Sequence, residues 1–129
     1  MKKTEKDRNE HQPCVLEVCA DSAESAIAAQ TGGADRIELC SALIIGGISP
    51  GAALFRQVRR YTDLEVRVLL RPRFGDFCYS KYEQDVLKEE VQLFRELGAD
   101  GVVIGSLNPD GTLNMDQMEE LVHLAGDMK

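Results

Sequence analysis

The pattern Glu-x-Cys occurs twice, as Glu17-Val18-Cys19 and as Glu38-Leu39-Cys40. Each copy closes a short run of strand-forming residues. A carboxylate and a thiol two positions apart on a strand lie on one face. If the two strands are parallel neighbours, Cys19 and Cys40 meet at their C-terminal rim. A pair of thiolates is a soft donor set that favours Cu(I), although a cysteine serves equally well as a small buried apolar residue. The other two cysteines, Cys14 and Cys78, have no evident partner. No C-x-x-C pair exists, and only His11 and His123 could join the thiols, which argues against a structural zinc site.

A second concentration of chemistry is Arg71-Pro72-Arg73-Phe74-Gly75-Asp76-Phe77-Cys78-Tyr79-Ser80. It offers two guanidiniums, a carboxylate, a phenol and a hydroxyl within one loop. Arginine captures a carboxylate or phosphate with two parallel hydrogen bonds. Asp76 could orient such an arginine or act as a base, and Glu38 is the other candidate for proton transfer. The structural alternative is that Arg71 and Arg73 pair with Glu17, Glu38 or Asp76 and hold the loop. The stretch Gly46-Gly47-Ile48-Ser49-Pro50 leads into a helix, where backbone N–H groups can meet an anion. It is equally an ordinary loop, with Ser49 as the cap and Pro50 in the first helical position.

These residues are positioned by alternating strands and helices. Cys14–Cys19, Arg36–Cys40, Val66–Leu70 and Gly101–Gly105 read as strands. Helices follow each of them. The first is capped by Asp21 or Ser22 and stopped by Gly32-Gly33. The second carries Leu54, Phe55 and Val58. The third runs over Glu83–Leu97 with Val86, Leu87, Val91, Phe94 and Leu97 on one stripe, and the last over Met115–Leu124. Gly33-Ala34-Asp35 and Gly98-Ala99-Asp100 repeat one helix-to-strand loop. The result is an α/β chain of four βα units with a parallel sheet and right-handed crossovers.

Each of the first three strands has one apolar face and one charged face. An open sheet covered by helices on both sides would be apolar throughout, so a barrel with a charged interior is the better match. Glu17, Glu38, Arg67 and Arg71 are expected to form its paired charge cluster, with apolar gaps around Leu69 and Val103.

The length of 129 residues suits one domain. Residues 1–13 read as a disordered polar tail and 14–129 as the folded part. Fifteen Lys and Arg against 22 Asp and Glu leave a net charge of −7, which excludes a general nucleic-acid binder. No apolar run is long enough to span a bilayer. The N-terminal stretch has no secretory signal, so free thiols and a cytoplasmic location are expected, with the nucleus as the alternative in a eukaryotic cell.

The chain resembles the CutC family, named for copper homeostasis. The resemblance rests on Leu16-Glu17-Val18-Cys19, on Gly32-Gly33-Ala34-Asp35-Arg36-Ile37-Glu38-Leu39-Cys40-Ser41, on Gly46-Gly47 with Pro50, and on Arg71-Pro72-Arg73-x-Gly75-Asp76-Phe77-x-Tyr79-Ser80. It implies a TIM-type (β/α) barrel, here only its first four βα units, and a copper homeostasis role through Cu(I). Carried over residue by residue, it makes Cys19 and Cys40 the metal thiols. Glu17, Arg71, Arg73, Asp76 and Tyr79 become the polar ligand-binding residues of the rim, and Glu38 and Asp76 the catalytic candidates. The alternatives are a barrel enzyme acting on a small phosphorylated or carboxylated metabolite, and an interaction fragment without activity of its own. The chain departs from the family pattern in the apolar Ser41–Ile45 stretch and in Ser49-Pro50-Gly51. A closed (β/α)₈ barrel takes about 250 residues, so a homo-oligomer or a full-length subunit is expected to complete it.

Overall fold

The computed structural model describes residues 14–129; the expected N-terminal tail and His11 lie outside them. The elements follow in strict alternation: β1 (Glu17–Ala20), α1 (Ala23–Thr31), β2 (Arg36–Leu39), α2 (Ala52–Tyr61), β3 (Glu65–Leu69), α3 (Lys81–Glu96), β4 (Gly101–Val103) and α4 (Met115–Ala125). A single 3₁₀ turn, Leu43–Ile45, interrupts the connection from β2 to α2. The four strands are parallel and lie in chain order, β1-β2-β3-β4. This is the first-to-fourth progression of a TIM-type barrel wall.

All four helices cover one face of the sheet. Ala20, Ile37, Leu39, Val66, Val68 and Leu70 point into that layer against Ala26, Phe55, Val58, Leu87, Val91, Phe94, Leu121 and Ala125. Phe55 and Phe94 meet edge to face with centroids 5.7 Å apart, a favoured aromatic geometry. Among the described residues no helix covers the opposite face. By alternation and register it carries Glu17 and Cys19 of β1, Arg36 and Glu38 of β2, Glu65, Arg67 and Leu69 of β3, and Val103 of β4.

The two Gly-Ala-Asp loops are built alike. Gly33 and Gly98 sit at φ +92° and +84°, a left-handed conformation that glycine adopts without penalty. The following alanine N–H reaches back to the helix, Ala34 to Ala29 O at 3.0 Å and Ala99 to Phe94 O at 2.9 Å. Each aspartate then caps the strand next door. Asp35 Oδ2 accepts from the Leu16 N–H and Asp100 Oδ2 from the Val66 N–H, both at 2.8 Å.

Several expected boundaries move. β1 begins at Glu17 and not at Cys14, because β2 offers backbone partners only from Arg36, whose register mate is Glu17. Cys14 is exposed ahead of the strand. β3 and β4 cover Glu65–Leu69 and Gly101–Val103. α2 starts at Ala52 behind Gly51, so Ser49 is not its cap and Pro50 is not its first residue. The Ser49 hydroxyl is occupied elsewhere, as described below. α3 starts at Lys81, where Ser80 and Glu83 form a reciprocal capping box. Its buried stripe is Gln84, Leu87, Val91 and Phe94, while Val86 is exposed.

Candidate functional site

Two different groups of side chains stand out, one running along the helix-free face of β1 and β2 to their C-terminal rim and one in the loop that follows β3. The first sits on β1 and β2. Glu17 pairs with its register mate Arg36. Cys19 stands opposite Glu38, with its Sγ 4.0 Å from Glu38 Oε2. Cys40 follows β2; its N–H donates to Ala20 O at 3.0 Å, and its thiol points to the same oxygen at 3.6 Å.

This group is electrostatically crowded with acids. Burial pushes the Glu38 carboxyl above its usual range, and the neighbouring Glu17 adds to the effect. Burial also raises the Cys19 thiol, followed by the charges of Glu38 and Glu17. Cys40, buried under Gly47, is pushed up to about 11, by burial first and then by Cys19, Asp21 and Glu38. Both thiols therefore hold their protons at neutral pH. Among the described residues no three His, Cys, Asp or Glu side chains gather closely enough to enclose an ion. Any metal here would rest on the two cysteines, a donor set that suits Cu(I), and would have to displace their protons.

The second group is the loop between β3 and α3. Its two arginines have separate fates. Arg73 is fully engaged: Nε donates to Glu83 at 2.7 Å, Nη2 to Asp76 at 3.0 Å, and both Nη atoms also reach backbone carbonyls. Its charge is held firmly by Glu83 and then Asp76. Asp76 is kept below the usual carboxylate range, mainly by the Cys78 N–H and then by Arg73. Glu83 is lowered by the Ser80 N–H and by Arg73. Arg73, Asp76 and Glu83 thus tie the loop to the first turn of α3.

Among the described residues, Arg71 has no carboxylate as a hydrogen-bond partner. Only 9% of its surface is exposed. Nη1 donates to Gly47 O at 3.0 Å and Nη2 to Gly75 O at 2.7 Å. The guanidinium lies 4.8 Å from the Phe77 ring centroid, and Phe77 meets Tyr79 edge to face at 6.4 Å. Arg73 stacks on the far aromatic, 5.5 Å from the Tyr79 ring. Tyr79 is buried, and its hydroxyl has no hydrogen-bond partner among the described residues. Burial raises its ionisation, and the charge of Arg71 opposes that rise.

The expected single cluster of Glu17, Glu38, Arg67 and Arg71 does not form. Arg67 pairs with Glu65 at 2.9 Å on its own strand, and Glu17 takes Arg36. Arg71 leaves the sheet and crosses to the loop above β2. Leu69 and Val103 do share the helix-free face as expected. His123 is exposed on α4.

Residue types and spacing did not single out three residues that support these groups. Arg36 is the counter-ion of Glu17. Ser49 is a clamp: its hydroxyl accepts from the Arg71 N–H at 2.8 Å and donates to Glu90 Oε2 at 2.7 Å, while its own N–H donates to Arg71 O at 2.9 Å. Gly47 approaches so closely that a Cβ there would lie 3.1 Å from Leu69 and 3.4 Å from the Cys40 sulfur. Only the double glycine hinted at such an approach; nothing local marks Ser49 and Glu90 as partners.

Known proteins resemble this chain in sequence and backbone. The CutC family model matches residues 14–129. A CutC family protein of Sodalis glossinidius is 48% identical over 113 residues, which are 88% of this chain and 45% of that protein. The copper homeostasis protein cutC homolog of Drosophila melanogaster is 46% identical over 114 residues, 88% of this chain and 43% of the homolog. The chain thus spans a little under half the length of these relatives. Among solved structures, one described as a copper homeostasis protein CutC from Streptococcus agalactiae superposes with a TM-score of 0.82 at 26% identity, over 88% of this chain and 56% of that one. One described as a phosphonomutase from Burkholderia cenocepacia shares the fold alone, at a TM-score of 0.58 and 23% identity. The match of sequence over the whole described region, joined to the match of backbone, shows that the chain belongs to the CutC family.

Proposed function

We propose that this chain serves copper homeostasis by binding Cu(I) between the Cys19 and Cys40 thiolates. The observation that carries the reading is the placement of two free thiols at one rim, Cys19 on β1 and Cys40 directly after its parallel neighbour β2. Thiolate sulfur is the ligand type that selects Cu(I) over harder ions. The names of the relatives point the same way. Glu17 and Glu38 shape the site and supply negative charge beside a cation. A homo-oligomer or a full-length subunit would close the barrel around the helix-free face.

The thiols titrate high, so binding expels protons and the apparent Cu(I) affinity climbs as pH rises toward their ionisation. A competition titration of Cu(I) on the reduced chain, run with light scattering on a sizing column, reads affinity and assembly together. Cys19→Ser or Cys40→Ser is expected to weaken binding at least tenfold, about 1.4 kcal/mol. Unchanged affinity in both variants overturns the reading.

A further inference from the structure

The Ser49 hydroxyl has one proton and two acceptors within reach. Glu90 Oε2 lies 2.7 Å from its Oγ, and the Arg71 carbonyl oxygen lies 3.1 Å from it. The same Oγ already accepts from the Arg71 N–H at 2.8 Å. A hydroxyl donates one hydrogen bond and accepts up to two. Which oxygen receives the proton is set by the chemistry of Glu90 and not by distance alone. An ionised carboxylate only accepts, whereas a protonated carboxyl also donates. A hydrogen bond to an ionised acceptor is about twice as strong as one between neutral groups.

Glu90 stands on α3, half-buried, and Ser49 is its hydrogen-bond partner. Among the described residues no cation pairs with it. Arg59 of α2 is engaged by Asp100, and Lys88 of α3 by Asp85 and Glu120. Arg56 and Arg60 of α2 are exposed. The Arg71 guanidinium is taken up by the Gly47 and Gly75 carbonyls. Burial holds the Glu90 carboxyl above its usual range, and the Ser49 hydroxyl opposes that rise. On the other side of Ser49, Arg71 joins two loops of the rim through those carbonyls, so a change in the hold on its backbone reaches both.

We infer that Glu90 is a proton-responsive latch on the Arg71 backbone, acting through the Ser49 hydroxyl. With Glu90 ionised, the Ser49 proton points to Oε2, and the Arg71 carbonyl keeps the Ser49 N–H at 2.9 Å. When Glu90 takes up a proton from solvent, its new O–H donates to Ser49 Oγ. Ser49 then turns its own proton to the Arg71 carbonyl. One proton enters and none leaves the serine. Both backbone groups of Arg71 are then held by the Ser49 side chain. The grip tightens in acid and relaxes as Glu90 ionises. The latch lies outside the cysteine pair and does not depend on copper.

Carbon-detected carbonyl–nitrogen spectra of the 129-residue chain test this, because they show the Arg71 carbonyl through the nitrogen of Pro72. The Glu90 carboxyl carbon is followed in the same pH series. The expected result is a downfield movement of the Arg71 carbonyl signal on acidification, with the midpoint of Glu90. Glu90→Gln should abolish that movement. Ser49→Ala should abolish it too, while Glu90 still titrates, at a higher midpoint because the opposing hydrogen bond is gone. An Arg71 carbonyl that stays still while Glu90 titrates in the parent overturns the inference, whether or not either variant folds. So does a movement that survives in folded Glu90→Gln. A chain that unfolds before Glu90 takes up its proton overturns it as well, since the latch would then never close in the folded state.

Discussion

At the N-terminal end of the sheet one loop is used twice; at the C-terminal end no two loops are alike. The Gly-Ala-Asp loops stop a helix with a left-handed glycine, return a backbone hydrogen bond to it, and cap the neighbouring strand with an aspartate. Their polar groups are answered. The rim above β1 to β3 holds raised thiols, a raised glutamate, a buried arginine without a carboxylate partner and an orphaned phenol. One end is spent on stability and the other carries groups whose needs the fold leaves unmet. α/β barrels place their chemistry at that second end.

The contrast can be broken most forcefully at the stabilising end. Asp100 accepts from the Val66 N–H at 2.8 Å and from Arg59 at 2.6 Å. Asp100→Ala should cost about 2 kcal/mol in urea unfolding, with Asp35→Ala costing about half as much because Leu16 is exposed. Neither change should alter Cu(I) affinity. A loss of copper binding in folded Asp100→Ala would mean that the two ends are not independent.

The cysteine variants probe the other end. Cys19→Ser should leave stability within about 0.5 kcal/mol of the parent, since Cys19 is exposed, while lowering Cu(I) affinity at least tenfold. The deficit should widen as pH rises, because only the parent gains a second thiolate. A deficit that shrinks with pH would assign the metal to other donors.

The smallest effect concerns Glu90, whose carboxyl is raised by burial against the opposing hydrogen bond from Ser49. A carboxyl raised in the folded state favours folding most below its unfolded value. That advantage is lost as pH climbs through the folded value. Glu90→Gln keeps an acceptor for Ser49 and removes the charge. It should stabilise the chain at neutral pH by less than about 1 kcal/mol, and the gain should vanish at acid pH. A destabilised Gln variant at pH 7 would show that the charge itself holds Ser49 and Arg71 in place.

The parts legible in the sequence were those set by neighbours along the chain. Gly98 followed by Ala99 and Asp100 announces a helix stop and a strand start. Leu87, Val91 and Phe94 announce the buried stripe of α3. The two Glu-x-Cys patterns place Cys19 and Cys40 on adjoining strands once the order β1-β2 is known. What stayed hidden was set by partners distant in sequence. Ser49 looked like a helix cap because its true partners, Arg71 and Glu90, are 22 and 41 residues away. Arg71 and Arg73 looked equivalent until the capping box of α3 brought Glu83 to one of them and left the other to carbonyls. Register puts Arg36 beside Glu17, and they pair, but it also puts Arg67 beside Glu38, and Arg67 turns instead to Glu65 on its own strand.

Gly47 touches both unmet needs at once. Its Cα packs over the Cys40 sulfur with φ at +88°, where a side chain would be strained and would strike Leu69, and its carbonyl receives Arg71. An ion that reached the Cys40 thiol by displacing this peptide would withdraw an acceptor from the guanidinium. The Cys40 thiol and the Arg71 guanidinium would then share one lever. Thermodynamic reciprocity requires that whatever factor a rearrangement at Arg71 imposes on Cu(I) affinity, Cu(I) imposes on that rearrangement.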